Sequence, residues 1–390
     1  MGGSILKEIY LDNSATTKVC DPAIAKMVSL MTETYGNPSS LHKKGFEAEQ
    51  ELKAARAFLA ETLGAERGEI VFTSGGTEAN NLALFGAATL GKRFGKRIVS
   101  TAFEHPSVFR VLEALQKEGF EVCLLKPDRS GKITKEEILG AITPDTVLVS
   151  IMAVNNEVGT ILLFSEIGGA IKQLAPHALF HVDAVQAFCK IPIDVRKSAI
   201  DLLSASAHKI HGPKGAGLLY VKKGIRLPAR ALGGGQERGL RSGTEALPAI
   251  GGFAAAAQNY EKPAKLLPQM REKALLCRTL LSGIEGVLLQ SPEDALPYIV
   301  NFSLPGIRSE TMLHFLSGNG IYVSSGSACA GGEKSHVLAA MGLPAEQIDS
   351  SIRVSFSRDT DETQIRTLAE TIKLGSQTLM RTAQGRKKAR

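Results

Sequence analysis

From Glu69 to Ser206 the sequence alternates short β-branched runs with longer stretches of helical period, a rhythm that few folds accommodate. Glu69–Ser74 (EIVFTS), Arg97–Thr101 (RIVST), Val122–Leu125 (VCLL), Thr146–Ile151 (TVLVSI), Leu179–Val182 (LFHV) and Leu202–Ser206 (LLSAS) read as strands. Ala79–Ala88, Val108–Glu118, Lys135–Ile142 and Ile167–Leu174 read as the helices between them. Apolar strands separated by helices predict an α/β fold, a mostly parallel sheet covered by helices on both faces. The remainder reads differently. Arg230–Thr244 is a glycine-rich loop, followed by helices at Gly251–Tyr260 and Leu267–Ile284, the second with Pro268 in its first turn. Ile299–Leu304, Ile321–Ser324 and Ser351–Phe356 read as strands of a smaller α+β unit. The 390 residues are therefore expected to form a large domain at 14–258, a small one from 1–13 and 259–378, and a flexible basic tail at 379–390.

Composition removes several function classes. The net charge is +7, but Arg381, Arg386, Lys387, Lys388 and Arg390 lie in the last ten residues, and without those five it is +2. The basicity is that of a solvated terminus rather than of a nucleic-acid-binding face. Trp is absent and aromatics are 5%, so no stacking platform for single strands is suggested and no direct nucleic-acid contact is expected. No apolar run approaches the ~20 residues of a membrane span, and the first residues lack the apolar core of a signal peptide. Cys20, Cys123, Cys189, Cys277 and Cys329 show no CxxC spacing, which fits a reducing cytoplasm and neither a disulfide framework nor a metal site.

Parallel sheets bind ligands beyond the carboxyl ends of their strands, and the polar groups of this sequence gather at such ends. Lys209 follows the apolar run Asp201–Ala207. A lysine there is either solvated through its stem or desolvated, and desolvation lowers its pKa and makes the amine a nucleophile. Asp183 closes the run LFHV, one crossover earlier, so the two are expected at neighbouring strand ends. A carboxylate in that position is otherwise a helix N-cap. Together the pair suggests pyridoxal 5'-phosphate, which needs a lysine for its Schiff base and a carboxylate to keep its ring nitrogen protonated. Ser74-Gly75-Gly76-Thr77 stands between strand and helix, where backbone N–H groups and positive potential suit a phosphate. His105 ends the next strand, as a turn residue before Pro106 or as a ring lying on the cofactor. Asn156 and Gln186 are donors for a ring hydroxyl or caps for backbone; Ser206, His208 and Thr244 are phosphate-ligand candidates.

With these residues placed, the sequence resembles the cysteine desulfurases of the class V aminotransferase family, in their NifS/IscS-like branch. Ten segments carry the resemblance, in order along the chain: YLDNSATT from Tyr10, GNPSSLH from Gly36, FTSGGTEANN from Phe72, EHPSV from Glu104, NNEVG from Asn155, HVDAVQ from His181, SAHKIHGPKG from Ser206, GGGQERGLRSGT from Gly233, SSGSAC from Ser324 and IRVSFS from Ile352. The resemblance implies the fold type I architecture of pyridoxal-phosphate enzymes. It implies that Lys209 carries the cofactor, Asp183 pairs with its ring nitrogen, and His105 stacks on the ring and assists proton transfer. Asn156 and Gln186 then contact the ring oxygen, Asn156 also facing the substrate; Gly76, Thr77, Ser206 and His208 bind phosphate; Thr244 reaches the phosphate of a neighbouring subunit in a homodimer. Arg353 grips the substrate carboxylate, and Asn13 lies in the substrate-pocket segment without a defined role.

The same resemblance makes Cys329 the sulfur nucleophile. It stands among small residues, Ser324-Ser-Gly-Ser-Ala-Cys-Ala-Gly-Gly, which read as a mobile loop. The implied reaction converts L-cysteine to L-alanine, with Lys209 or His105 as base. A persulfide remains on Cys329 for an acceptor protein in iron–sulfur cluster assembly or tRNA thiolation. Selenocysteine lyase, or another class V lyase or aminotransferase, is the alternative within the family; a non-catalytic scaffold is the alternative outside it. Three features depart from the family pattern: the short Ala330–His336 stretch, Leu162-Leu163 after NNEVGT, and the basic tail.

Overall fold

The structure is a computed structural model that describes residues 8–325 and 334–388. Its strands are β1 (Ile9–Tyr10), β2 (Ile70–Thr73), β3 (Arg97–Thr101), β4 (Glu121–Leu125), β5 (Thr146–Met152), β6 (Leu179–Asp183), β7 (Leu202–Ser206), β8 (Gly217–Val221), β9 (Leu288–Leu289), β10 (Ile299–Ser303), β11 (Ile321–Tyr322) and β12 (Ser351–Ser355). Its helices are α1 (Asp21–Thr32), α2 (Lys43–Glu61), α3 (Gly76–Gly91), α4 (Pro106–Lys117), α5 (Lys135–Gly140), α6 (Phe164–Leu174), α7 (Leu247–Gln258), α8 (Pro263–Ser282), α9 (Ser309–Gly318), α10 (His336–Ala340), α11 (Ala345–Asp349) and α12 (Glu362–Lys388).

A seven-stranded sheet runs in the order β2-β8-β7-β6-β5-β3-β4. Neighbours from β7 to β4 pair in parallel, whereas β8 is antiparallel to both β7 and β2. Strand side chains alternate between faces. Leu218 and Tyr220 of β8 join one apolar layer, while Leu219 and Val221 join the other. Both faces are thus buried, as the apolar strands predicted. The layer beneath α3 and α4 takes Ala83 and Ala87 from α3 with Val108, Val111 and Leu115 from α4. The opposite layer continues without a break into the second sheet, β12-β10-β9, through Ile299, Phe302, Ile352 and Val354.

The structure adds elements the sequence reading did not give, among them β1, β9 and α9 to α12 of the smaller unit, and departs from it in the following places. β8 was not anticipated; it follows directly on the His211–Gly215 turn, and Gly217 admits it. A Cβ on Gly217 would meet the Gly75 Cα at 2.6 Å, so this glycine lets β8 close on the turn between β2 and α3. Helices α1 and α2 were also unread. The buried positions Ala48, Leu52, Ala55 and Leu59 of α2 have the helical spacing, but in alanine-rich form that blurs the apolar stripe. α8 begins at Pro263, so Pro268 lies inside the helix rather than in its first turn. α12 runs on to Lys388 and so extends into the basic stretch at 379–390, with no proline to stop it.

β1 joins the molecule by parallel pairing with β11, and Asp12 just beyond it bridges to Ser355 of β12. This stitch delivers the segment 12–17 to the carboxyl ends of β6 and β7. Among the described residues no helix is long and apolar enough to cross a membrane.

The glycine-rich loop before α7 is held by a buried ion pair. Arg56 of α2 donates from Nη1 and Nη2 to the two Glu237 oxygens, each at 2.7 Å, and stacks over Phe72 at 4.5 Å. The backbone N–H of Phe72 in β2 donates to the same carboxylate at 2.9 Å. Glu237 and Arg238 both take left-handed backbone conformations, with φ of 48° and 60°, which the ion pair offsets. Arg56→Met leaves the Glu237 charge buried and unpaired, so we expect a loss of about 3–5 kcal/mol in denaturant unfolding. Adding Glu237→Gln to that variant should restore part of it.

Candidate active site

Lys209 follows β7 in a short 3-10 turn at Ala207–Lys209, beside Asp183 at the end of the parallel neighbour β6. Part of the Lys209 side chain is accessible, but its amine is closely surrounded. Nζ donates to the carbonyls of Ser14 and of Ala15, the latter at 2.8 Å. Burial lowers its pKa to about 7, helped by the positive charges of Arg353 and Lys190 and opposed by Asp12 and Asp183. Asp183 is buried; Oδ1 accepts from the Val185 N–H at 2.9 Å and Oδ2 from Asn80 Nδ2 at 2.8 Å.

The β2–α3 turn lies against the same strand ends. A Cβ on Gly76 would meet Val185 Cγ2 at 2.5 Å and lie 3.8 Å from the Ser206 Cβ. Ser206, at the end of β7, is therefore brought to the start of α3, where Thr77 lies exposed in the first turn. His208 contacts Thr16 Oγ1 at 3.3 Å, and burial lowers its pKa to about 4. Gln186 donates from Nε2 to the Ser14 carbonyl at 2.9 Å. The Asn156 Oδ1 is buried with no partner among the described residues.

His105 caps α4: its Nδ1 accepts the Ser107 N–H at 3.1 Å and lies 2.8 Å from Ser107 Oγ. The ring is accessible at the edge of a cleft of about 420 Å³ that Thr77 and Asn81 also line. Its surroundings are nonetheless dense, and desolvation lowers its pKa. Arg353 on β12 donates from Nη2 to Asp12 at 2.8 Å and from Nη1 to the Asn156 carbonyl at 2.9 Å, while its Nε has no partner among the described residues.

Two sequence candidates stand apart. Asn13 gives its amide N–H groups to the Ser355 and Tyr10 carbonyls, at 2.9 and 3.3 Å, and so fastens the segment 12–17. Thr244 is exposed on the glycine-rich loop. Cys329 lies outside the described residues.

Four residues at the site escaped the sequence reading. Asp12 pairs with Arg353 across 341 positions of chain. Lys190, 4% exposed, lies 3.4 Å from Gln186 Oε1, with burial lowering its pKa to about 8. A lysine inside the run AFCKIP was its available signal. Glu104 is fully buried, accepts from Thr101 Oγ1 at 2.6 Å and from the Met152 N–H at 2.9 Å, and is pushed up to about 8 by desolvation. Asn80, fully buried on α3, joins Asp183 to Ser107.

Residues 9–368 match the family described as Aminotransferase class-V. The chain belongs to the class V aminotransferase family. Its relatives place it among the cysteine desulfurases. It is 41% identical over 371 residues to "Putative cysteine desulfurase IscS 1" of Bacillus subtilis, covering 94% of this chain and 97% of that protein. It is 43% identical over 367 residues to "Cysteine desulfurase IscS" of Clostridium botulinum, covering 91% of each. A solved structure titled "NIFS-LIKE PROTEIN" superposes with a TM-score of 0.89 at 37% identity, covering 94% of this chain and 98% of that one.

Enzymes of this class V branch depend on pyridoxal phosphate, and the residues present fit that group. A low-pKa amine, a carboxylate at the adjacent strand end and a glycine turn opening a helix supply the three contacts it requires. The Asn156 Oδ1 adds a buried polar atom that has no partner among the described residues.

The neutral amine is the nucleophile, so in cofactor-free protein Lys209 should acylate at a rate that rises through pH about 7, well below the ~10.4 of an ordinary lysine. Peptide-resolved mass spectrometry between pH 6 and 9 measures this. Lys190→Met should raise the inflection and Asp183→Asn lower it.

Proposed function

We propose that this cysteine desulfurase removes sulfur from free L-cysteine and stores it as a persulfide on Cys329, with the strand-end residues in the following roles. Lys209 carries pyridoxal phosphate and serves as the base, because burial lowers its pKa to about 7 and leaves a large share of the amine neutral at that pH. Asp183, held as an acceptor by Val185 and Asn80, faces the ring nitrogen. His105 stacks on the ring, and Asn156 with Gln186 meets its hydroxyl oxygen. The start of α3 at Gly76 and Thr77, with Ser206 and His208, cradles the phosphate. The cofactor supplies an electron sink for the bond changes at the substrate α-carbon.

Arg353 orients the substrate carboxylate, which its planar fork accepts bidentately. The fork is partly committed to Asp12 and the Asn156 carbonyl, so substrate binding either shares Nη2 with Asp12 or displaces it. The sulfur step balances without an external redox partner. The Cys329 thiolate attacks the substrate sulfur, the carbon–sulfur bond breaks, and the carbon skeleton gains protons to leave as L-alanine. An acceptor thiol takes the sulfur by exchange.

The neighbours of Cys329 in sequence support its role. Ser324 exchanges both backbone hydrogen bonds with Arg353, at 2.7 and 3.1 Å. On the other side, Ser335 Oγ donates to the buried Glu157 at 2.6 Å, and His336 Nε2 donates to the Glu104 carbonyl at 2.7 Å, one residue from His105. Cys329 is five residues from the first anchor and six from the second.

The surface supports a homodimer. Ile24, Val28 and Met31 lie on one face of α1 and are exposed, as are Tyr35, Leu41 and Phe46 nearby. An apolar patch of this kind marks an association surface, and a second copy is the partner that Thr244, exposed here, requires in order to reach a phosphate. Sulfur acceptors of iron–sulfur assembly or tRNA thiolation fit the branch, and a reducing cytoplasm fits the unpaired thiols.

The observation that carries this reading is the low-pKa amine of Lys209 beside Asp183. The test is mass spectrometry of the enzyme after exposure to L-cysteine. One added sulfur on the peptide containing Cys329 is expected, with alanine released. Cys329→Ser should lose both while the visible band of the cofactor–lysine linkage persists; alanine release at the full rate by that variant contradicts the role of Cys329. Sedimentation should give twice the mass of the chain. Met31→Glu with Phe46→Glu should shift it toward the single chain and weaken cofactor retention.

A further inference from the structure

The geometry points to Asn80 and Ser107 as positioning residues that hold His105 in the tautomer with its proton on Nε2, so that the ring offers a hydrogen-bond donor at its free nitrogen and leaves proton abstraction to Lys209. The consequence for abstraction rests on the proposed role of His105; the tautomer itself does not.

The Asp183 carboxylate accepts the Val185 N–H at one oxygen and meets the Asn80 side chain at the other, 2.8 Å away. An ionised carboxylate only accepts, so the amide must turn its NH₂ toward Asp183 and not its oxygen. The second hydrogen of that NH₂ goes to Ser107 Oγ, also at 2.8 Å. Ser107 Oγ therefore accepts from Asn80, and its single hydrogen remains for His105 Nδ1 at 2.8 Å. The backbone N–H of Ser107 reaches the same nitrogen at 3.1 Å. Two donors converge on Nδ1, which must present its lone pair, and the ring proton belongs on Nε2.

The opposite tautomer keeps the Asn80 amide as it is and reverses only the bond between Ser107 and His105. Ser107 Oγ would then accept from both Asn80 and a His105 Nδ1–H, which leaves its own hydrogen without a partner in this network and sets that ring N–H against the Ser107 backbone N–H, 3.1 Å away. The asparagine pays for the arrangement with a buried Oδ1 that finds no partner among the described residues. An orphaned acceptor of this kind costs about 1–3 kcal/mol, which is consistent with an amide whose direction is imposed by the carboxylate. A charged imidazolium is disfavoured as well, since it would place N–H groups on both sides of the ring. The titratable groups facing His105 are Asp183, Lys209 and His336; the first favours the charged ring and the other two oppose it.

The test is nitrogen-15 NMR of the full-length holoenzyme with labelled histidine, His105 being assigned by its disappearance in His105→Gln. The expected spectrum has Nδ1 as an unprotonated nitrogen and Nε2 as a protonated one, unchanged between pH 6.5 and 8.5. Ser107→Ala, which keeps the weaker backbone donor but loses the hydroxyl at 2.8 Å, and Asn80→Leu should each weaken the preference so that a second tautomer becomes visible, and lower kcat by about tenfold, the scale of one lost hydrogen bond, with little change in KM. Ser107→Thr, which keeps the hydroxyl, should restore the single tautomer. Ser107→Ala carries the test if Asn80→Leu proves unstable. A protonated Nδ1 in the wild type, or an unchanged single tautomer in Ser107→Ala, overturns the inference. Full activity in His105→Gln would instead remove the proposed role of His105 and leave the tautomer assignment standing.

Discussion

The site depends on the cost of keeping a positive charge on Lys209. Its amine is crowded at the end of β7, within the fields of Arg353 and Lys190, while Asp183 and Asp12 return only part of what burial removes. Charge on Nζ is therefore disfavoured at neutral pH, and a neutral amine is what both carbonyl chemistry and proton abstraction require. The other cations nearby feel the same pressure. Burial holds Lys190 down to about 8 and His208 down to about 4. A pocket built to receive an anionic cofactor and a carboxylate substrate is expected to be positive before either arrives.

Two buried carboxyls answer the same constraint with opposite sign. Glu104 and Glu157 are raised by desolvation to about 8 and about 7, so protonation keeps further negative charge away from Asp183 and Arg353 at neutral pH. Their hydrogen bonds are structural: Glu104 ties the end of β3 to β5, and Glu157 ties the turn after Asn155 to Ser335. The raised values have a consequence for stability. Between the ordinary carboxylate range and these pKa values the folded state binds more protons than the unfolded one, so their contribution is greatest in mild acid and declines as pH rises. The low pKa of Lys209 runs the other way, since the unfolded chain binds the extra proton between about 7 and the usual lysine range.

What the sequence disclosed was what is local. Leu202–Ser206 is a strand with the bounds its apolar run predicted, and Asp183 and Lys209 stand at adjacent strand ends because a crossover in a parallel sheet places them there. Residues whose meaning depends on distant packing were not legible. Asn80 looks like any polar position on a helix until α3 is laid across the sheet and its amide falls on Asp183, 103 residues away. Ser107 reads as a first-turn serine, and nothing local says that its hydroxyl is claimed by α3. Asp12 acquires its partner only when β1 joins β11 and the chain turns in beside β12. β8 was missed because its pairing partners, β2 and β7, are what make a five-residue apolar run a strand.

The segment 12–17 shows why so short a stitch matters. Asp12 holds Arg353 of the second sheet, the Ser14 and Ala15 carbonyls hold Lys209 of the first, and Thr17 Oγ1 fastens to the His208 carbonyl. One strip of backbone thereby sets the distance between the proposed carboxylate-binding group and the proposed base. It also sets a limit on their exchange. A free amine can donate to both carbonyls, whereas an amine that held the cofactor would have at most one hydrogen to give. Ser14 has a second donor in Gln186, whose own oxygen is held by Lys190. A single remaining hydrogen on Lys209 would suffice for the Ala15 carbonyl while Gln186 covers that of Ser14, so holding the cofactor would leave neither oxygen without a donor.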